Sequence, residues 1–480
     1  MSVFVVGSIL VPLLGSLLVL ALPRSWIKGF SVTAAGLAAL CSLLVLALFT
    51  QHGKQAAAFD LLALGSTTAF GVVLDRLSVL IGAAVVSVGF LVVLYSTGYL
   101  SAANREHPEK TVQRRYYFFL LLFICAMAGL VYSSTMLGLL VFFELTGVCS
   151  WGLIGYYDNP IARRSALKAL VTTQVASLGL YAATAYFFAL TGDFRLGGLA
   201  GLDDAAKIAI FAGVIIAGLG KSAQLPFHFW LPDAMVAPTP ISAYLHAASM
   251  VKVGVYILAR CLASAGQVPE VIGAVGGVLA IATLLYGFVM YFPQRDLKKL
   301  LAYSTITQLS YIFLALSFSV FGSQLAFSGA VAHIFNHAFA KSLFFLVAGA
   351  LSFTSGTRML PSLRGVLHKM PLVGVCFAVA ALAVTGVPPF NGFFSKFTIF
   401  AGGVDAARLH PLLLVLVAAA VLESVGSFAW IFWWFGQVAT GPESEEVSLA
   451  TPLAPSMQAA LVVLAALALL SGFFASAWMG

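Results

Sequence analysis

A chain of 480 residues, 61% hydrophobic and 9% charged, with a mean hydropathy of +1.02, has too little polar surface to coat a water-soluble globule. Such a composition belongs to a protein that crosses a bilayer many times. The net charge of +8 has no basic-aromatic patch to direct it to nucleic acid, and in a membrane chain it records orientation.

Apolar runs of about 20 residues, the length that spans a bilayer, recur from end to end. Fourteen can be placed, centred in order on Val11, Leu40, Gly89, Ile124, Thr146, Leu178, Val214, Met250, Leu279, Tyr311, Ala340, Ala383, Ala420 and Ala466. The fold class expected is all-α, a polytopic membrane protein. The first run, Met1 to Leu22, lacks a basic leading segment and is read as a retained helix. With the first span starting outside, fifteen of the 25 Lys and Arg residues, among them Arg24, Lys28, Arg105, Lys110, Arg163, Lys298 and Arg358, fall in loops on the cytoplasmic side. Six (Lys54, Arg76, Arg195, Lys207, Arg260 and Arg408) fall in the opposite loops. Both termini are expected to face away from the cytoplasm.

The remaining four, Lys221, Lys252, Lys341 and Lys396, lie inside apolar runs. A lysine at a helix centre costs on the order of 2.5 to 3.5 kcal/mol to insert, which points to an ion path. Glu144 and Glu423 are acids in the same situation, whereas Asp233 sits at a break where water can reach it. Five cysteines (Cys41, Cys125, Cys149, Cys261 and Cys376) are scattered with no CxxC pair or His-Cys cluster, so no metal site, iron-sulfur cluster or disulfide is expected. Gly218 and Gly220 before Lys221 lack the strand and the Ser/Thr continuation of a phosphate loop, and no cofactor is expected in this chain.

Between Ala217 and Arg260 the helical pattern is broken by Pro226, Pro232, Pro238 and Pro240. The segment LPFHFWLPDA (225–234) is echoed by PPFNGFFSKF (388–397), with Pro226 opposite Pro389 and Asp233 opposite Lys396. Paired interruptions mark inverted repeats with an ion site at the breaks. The offset of five spans allows two inverted five-helix units, spans four to eight and nine to thirteen.

In VAHIFNHAFAKSLFFLVAG, His333, His337 and Lys341 recur every fourth residue and share one helix face over roughly 12 Å, suited to a water-bridged proton relay. Histidine, and lysine when desolvated, exchange protons near neutral pH. Glu144 is the plausible ionic partner of Lys221, and a buried Glu-Lys pair titrates as a unit. His246 and Lys252, six residues apart, stand roughly 120° from each other on a regular helix. They are read separately, Lys252 as the central proton site and His246 as a neighbouring relay.

The stretches FELTGVCSW, GKSAQLPFHFWLPDAMVAPTPISAYLHAASMVKVG, NHAFAKSLFFLVAGA and GVPPFNGFFSKF resemble the antiporter-like subunits shared by respiratory complex I, Mrp-type cation/proton antiporters and membrane-bound hydrogenases. The likeness covers essentially the whole chain. STGYL, NREHP, RSALKAL and GTRMLPSLRGVLH are most similar to the hydrogenase-4 (formate hydrogenlyase-type) branch. The resemblance implies about fourteen helices, with discontinuous helices 7 and 12 broken at Pro226 and at Pro388 and Pro389. It implies an N-terminal three-helix segment (1–115), a first repeat (116–265, helices 4–8), a second inverted repeat (266–436, helices 9–13), and an acidic loop with a final helix (437–480).

The resemblance also implies roles: Glu144 and Lys221 as the coupled pair of a first half-channel, Lys252 or His246 at the connection, His333, His337 and Lys341 in the second half, and Lys396 at the outlet. One departure is on helix six, where Gln174 and Ser177 stand in place of the Arg and Asp of the longest complex I member. The chain is also expected to lack that member's long lateral helix. The function implied is proton translocation by one component of a hydrogenase or related oxidoreductase in the bacterial inner membrane. Its expected partners are other membrane-arm subunits, a hydrogenase-type peripheral arm and the lipid bilayer, without nucleic acid. The other readings are a quinone-reducing enzyme, for which the chain has no cofactor motif, a scaffold whose buried charges only fix packing, and a stand-alone sodium/proton antiporter subunit.

Overall fold

The computed structural model describes residues 1–109, 111 and 114–479; Lys110, assigned to a cytoplasmic loop, lies outside the described residues. Fourteen helical segments follow in order: α1 (Ser2–Ala21), α2 (Arg24–Gln51), α3 (Arg76–Tyr99), α4 (Arg114–Tyr132), α5 (Met136–Ile154), α6 (Pro160–Thr191), α7 (Asp204–Lys221), α8 (Thr239–Ala265), α9 (Glu270–Val289), α10 (Leu297–Val320), α11 (Gln324–Ser355), α12 in two halves (Pro371–Thr385 and Asn391–Ala406), α13 (Leu413–Ala439) and α14 (Pro455–Met479). Eleven helices among the described residues are long and apolar enough to cross a membrane. α6, α7 and the divided α12 complete an arrangement consistent with fourteen crossings, α7 carrying three charges, Asp204, Lys207 and Lys221.

Local chemistry sets the ends of these helices. Asp75 caps α3 in a reciprocal box with Ser78: its Oδ1 accepts the Ser78 amide at 2.8 Å, and its own amide donates to Ser78 Oγ at 3.0 Å. Thr135, Asn159, Asp203, Asp296 and Ser323 cap α5, α6, α7, α10 and α11 by side-chain acceptance. Gly356 and Gly386 end α11 and the first half of α12 in the left-handed region, at φ 81° and 87°.

Helices α8, α10 and α11 are buried along their apolar central stretches and form the centre, while α1, α2, α13 and α14 bury only one face and turn leucines, valines and phenylalanines outward. An apolar exterior around a buried polar interior is what a bilayer solvent selects. Small residues set the closest approaches: Gly179 on α6 faces Gly213 on α7, and Gly218 on α7 faces Gly254 on α8.

Two expected interruptions are present. α7 stops at Lys221, and irregular backbone runs from 222 to 229 before a short helical turn, Trp230–Asp233. α12 is interrupted between Thr385 and Asn391.

The structure also corrects the sequence reading in three places. An antiparallel hairpin, β1 (Ala57–Leu64) with β2 (Thr67–Leu74), occupies the connection between the second and third spans, pairing Ala57 with Leu74 and Leu64 with Thr67. β2 is largely buried on both faces against the bundle, and Val72 bridges to Ser133. α8 is not a regular helix: it is interrupted at Ala248 and Ser249, where both the Ser249 amide (3.0 Å) and its hydroxyl (2.9 Å) donate to Tyr244 O five residues back. The 120° offset calculated for His246 and Lys252 therefore does not apply. Finally, Lys207, Arg260 and Lys298, placed in loops by sequence, are buried because each meets an acceptor at a helix end. Lys207 Nζ donates to Gln267 O at 2.7 Å, Lys298 Nζ to Ala237 O at 2.6 Å, and Arg260 to Asp75.

Candidate functional site

The buried charges lie along the interior of the bundle rather than in one cluster. Lys221, the last residue of α7, is 1% exposed. Its Nζ sits 3.4 Å from Thr146 Oγ1 and 4.6 Å from the centre of the Phe143 ring, both on α5. Gly147 makes room for it, since a Cβ there would lie 2.9 Å from Nζ. Glu144 stands between Phe143 and Thr146 on the same helix, within electrostatic reach of Lys221. The two are neighbours without a direct hydrogen bond, and Glu144 Oε1 is buried without a protein hydrogen-bond partner.

The broken backbone after Lys221 is tied to α10. Gln224 Nε2 donates to Ser222 O at 2.9 Å and to Ile306 O at 3.3 Å, and Ser310 Oγ donates to Gln224 Oε1 at 2.7 Å. Trp230 Nε1 donates back to Gly220 O at 3.0 Å, closing the loop around Pro226. Asp233, at the break, is exposed and pairs with Lys168 at 2.6 Å.

On α8 the Lys252 Nζ and both ring nitrogens of His246 are buried with no protein partner. The His246 ring packs 4.8 Å from Phe345 of α11, over which Lys341 Nζ also sits at 5.9 Å. Lys341 further donates to Ser304 Oγ on α10. His337 has neither nitrogen bonded, and its ring lies 5.8 Å from that of His333. His333 is held on both sides, Nε2–H donating to Gln308 Oε1 at 3.1 Å and Nδ1 meeting Ser395 Oγ at 2.9 Å. Lys252 is within electrostatic reach of His333, His337 and Lys341.

Lys396, in the second half of α12, donates to Thr385 O at 3.2 Å across the break and to Ser424 Oγ at 3.1 Å, above the Tyr311 ring at 4.7 Å. Tyr311 donates to Glu423, which also accepts from Ser427. The break itself is pinned by a reciprocal amide pair: Asn336 Nδ2 donates to Asn391 O at 2.9 Å, and Asn391 Nδ2 to Asn336 O at 2.8 Å.

Lys221, His246, Lys252, His333, His337, Lys341 and Lys396 therefore lie in the interior, Glu144 is half-buried, and Pro226, Pro388 and Pro389 lie in the two breaks. The structure joins His333, His337, Lys341 and Lys252 into one neighbourhood, and Lys396 with Glu423 into another, while Glu144 and Lys221 are neighbours without contact. Ser304, Gln308, Tyr311 and Ser395 bond to or lie against members of these neighbourhoods, Gln224 ties the first break to α10, and nothing in the sequence alone singles them out. In a low-dielectric interior, alternating titratable groups and hydroxyls of this kind can pass protons between bonded or water-bridged neighbours. Gln174 and Ser177, on the helix that packs against α7, supply no charge to Lys221: the Ser177 hydroxyl turns back to Gln174 O at 2.8 Å.

A many-helix membrane protein with broken helices and a buried ionisable row is the class that fold and interior define. Residues 133–423 match the family model described as NADH:quinone oxidoreductase/Mrp antiporter, transmembrane. Residues 62–109 match that of the NADH-ubiquinone oxidoreductase (complex I) chain 5 N-terminus. The chain belongs to this family, whose members are the antiporter-like components shared by complex I, Mrp antiporters and related membrane-bound respiratory complexes. It is 34% identical over 443 residues to NADH-quinone oxidoreductase subunit L of Escherichia coli, which covers 88% of this chain and 70% of that protein. It is 33% identical over 431 residues to an Na(+)/H(+) antiporter subunit of Alkalihalophilus pseudofirmus, covering 84% of this chain and 52% of the relative. The chain spans about half the length of several such curated relatives. Its fold superimposes on a chain of the Mrp complex from Dietzia sp. with a TM-score of 0.86 and 29% identity, covering 100% of this chain and 51% of that one.

Proposed function

We propose that this chain moves protons across the bacterial inner membrane along its interior row, as one part of a larger membrane complex. The observation that carries the reading is that Lys221, Lys252, Lys341 and Lys396 are all essentially buried, as are His246, His333 and His337. Isolated buried charges are costly, and a row of them serves ion movement better than packing. In this reading 116–265 and 266–436 are two half-channels meeting at Lys252. Glu144 and Lys221 switch the first, His333, His337 and Lys341 relay through the second, and Lys396 is the outlet. Both termini face away from the cytoplasm.

The sequence motifs favour component D of hydrogenase-4 as the particular assignment, with a hydrogenase-type peripheral arm holding the redox centres. The identity to an Na(+)/H(+) antiporter protein supports a second reading, exchange of sodium for protons without a redox partner. Proteoliposomes containing the intact complex separate the two. Proton movement that requires hydrogen evolution supports the first, whereas proton movement driven by a sodium gradient alone supports the second. In either case Lys221→Ala and Glu144→Ala are expected to lower proton flux at least about tenfold in an assembled complex. Unchanged flux in both variants rejects the translocation reading and leaves the scaffold.

A further inference from the structure

Beyond its interruption, α8 carries Lys252, Tyr256, Arg260 and Ser264 at intervals of four, which places them on one face at about 6 Å per step. At the inner end Lys252 Nζ is buried and unpartnered. The Tyr256 hydroxyl donates to Val131 O on α4 at 2.5 Å. Arg260, 2% exposed, donates from the single atom Nη2 to both Tyr256 Oη at 2.9 Å and Asp75 Oδ1 at 3.1 Å, while Nη1 reaches Asp75 Oδ2 at 2.5 Å. Its Nε is buried with no acceptor.

At the outer end Arg260 and Ser264 form one wall of a cavity of about 420 Å³ under the hairpin, also lined by Asp60, Ser134 and Arg195. The Arg195 guanidinium, hydrogen-bonded to Asp60 at 2.6 Å, holds that carboxyl below its usual range, so the mouth presents an anion as well as cations.

We propose that this face of α8 is an outward proton branch from Lys252 to the cavity under the hairpin, with Tyr256 as its relay and the Arg260–Asp75 pair as its gate. The inference rests on the reading of Lys252 as part of the proton row. Asp75 is fixed by its capping bonds to Ser78, which leaves the arginine as the moving part. Arg260 stays charged and carries no proton itself. While Nη2 clamps Tyr256, its cationic head opposes a passing hydronium. With the fork swung wholly onto Asp75, the hydroxyl oxygen can accept a proton delivered from the Lys252 ammonium through water and give its own to water on the cavity side. Each passage moves one proton and no electron, returns Lys252 to the neutral amine, and leaves Tyr256 unchanged.

The test uses the intact complex in proteoliposomes, with wild-type proton flux measured first; wild-type vesicles that move no protons reject the functional reading itself. Given wild-type flux, Tyr256→Phe is expected to lower it at least about tenfold without loss of assembly. A charged, membrane-impermeant methanethiosulfonate added on the hairpin side is expected to modify Ser264→Cys and to reduce that variant's own flux after modification. Wild-type flux in Tyr256→Phe, a Ser264→Cys thiol that mass spectrometry finds unmodified, or full flux after complete modification would each overturn the branch.

Discussion

Glu423 shows how a single acid can be legible as unusual and still be undervalued. In sequence it is a carboxylate in an apolar run, with nothing nearby to join it to the proton row that includes Lys396. In the structure it is 2% exposed and accepts from Tyr311 and Ser427 beside the buried Lys396. Glu423→Gln keeps one accepting oxygen for Ser427 and turns the other into an amide donor, which the Tyr311 hydroxyl can accept while it donates to Ala420 O at 2.8 Å, but it removes the acid facing Lys396. We expect it to preserve thermal stability and to lower proton flux at least about tenfold. Glu423→Ala strips the Ser427 hydroxyl of the acid that accepts it and leaves Tyr311 only Ala420 O, a cost of about 1–3 kcal/mol that a lower melting temperature in detergent would register. Full flux in the Gln variant would remove Glu423 from the path. The lysines are legible because a charge in a hydrophobic run is visible without any partner. Gln308 and Tyr311 are not, because what gives them meaning lies 25 residues away at His333 and 112 away at Glu423.

At the scale of elements, α6 and α7 meet through glycine. A Cβ on Gly213 would lie 2.3 Å from Gly179 O and 3.0 Å from Ala183 Cβ, backbone and packed methyl that cannot simply yield. Gly213→Val is therefore expected to separate the helices and destabilise the bundle by about 1–3 kcal/mol, read as a fall in melting temperature. Gly436→Ala, which meets nothing within 4 Å on α13, should leave melting unchanged. If both variants melt together, close glycine packing does not hold α6 to α7. Element boundaries are partly legible. The breaks of α7 and α12 announce themselves through proline, but the interruption of α8 falls at Ala248 and Ser249, neither of which breaks a helix by its own backbone chemistry. The hairpin escapes sequence reading for a different reason. β1 leaves most of its apolar side chains exposed, so the alternation of polar and buried residues that marks a strand is weak there.

For the whole molecule, the question is how a change at Lys221 is felt near Lys341. α10 packs against both regions: Gln224 of the first break bonds to it at Ile306 and Ser310, and its Gln308 and Ser304 hold His333 and Lys341. If that helix couples the halves, Gln224→Met and Gln308→Met should each reduce flux and do so non-additively, the double variant being no worse than the more damaged single one. Independent, multiplicative losses would mean that the two regions are not joined through α10.

The contacts of α10 have a mechanical consequence. Its four polar anchors, Ser304, Ile306 O, Gln308 and Ser310, occupy seven consecutive residues of a helix enclosed on all sides by protein. Sliding that segment along its axis by one residue, about 1.5 Å, would carry all four off their partners together, in both regions. Lipid offers no slack to absorb the step. The segment behaves like the keyed shaft of a lock, whose wards engage or release as a set.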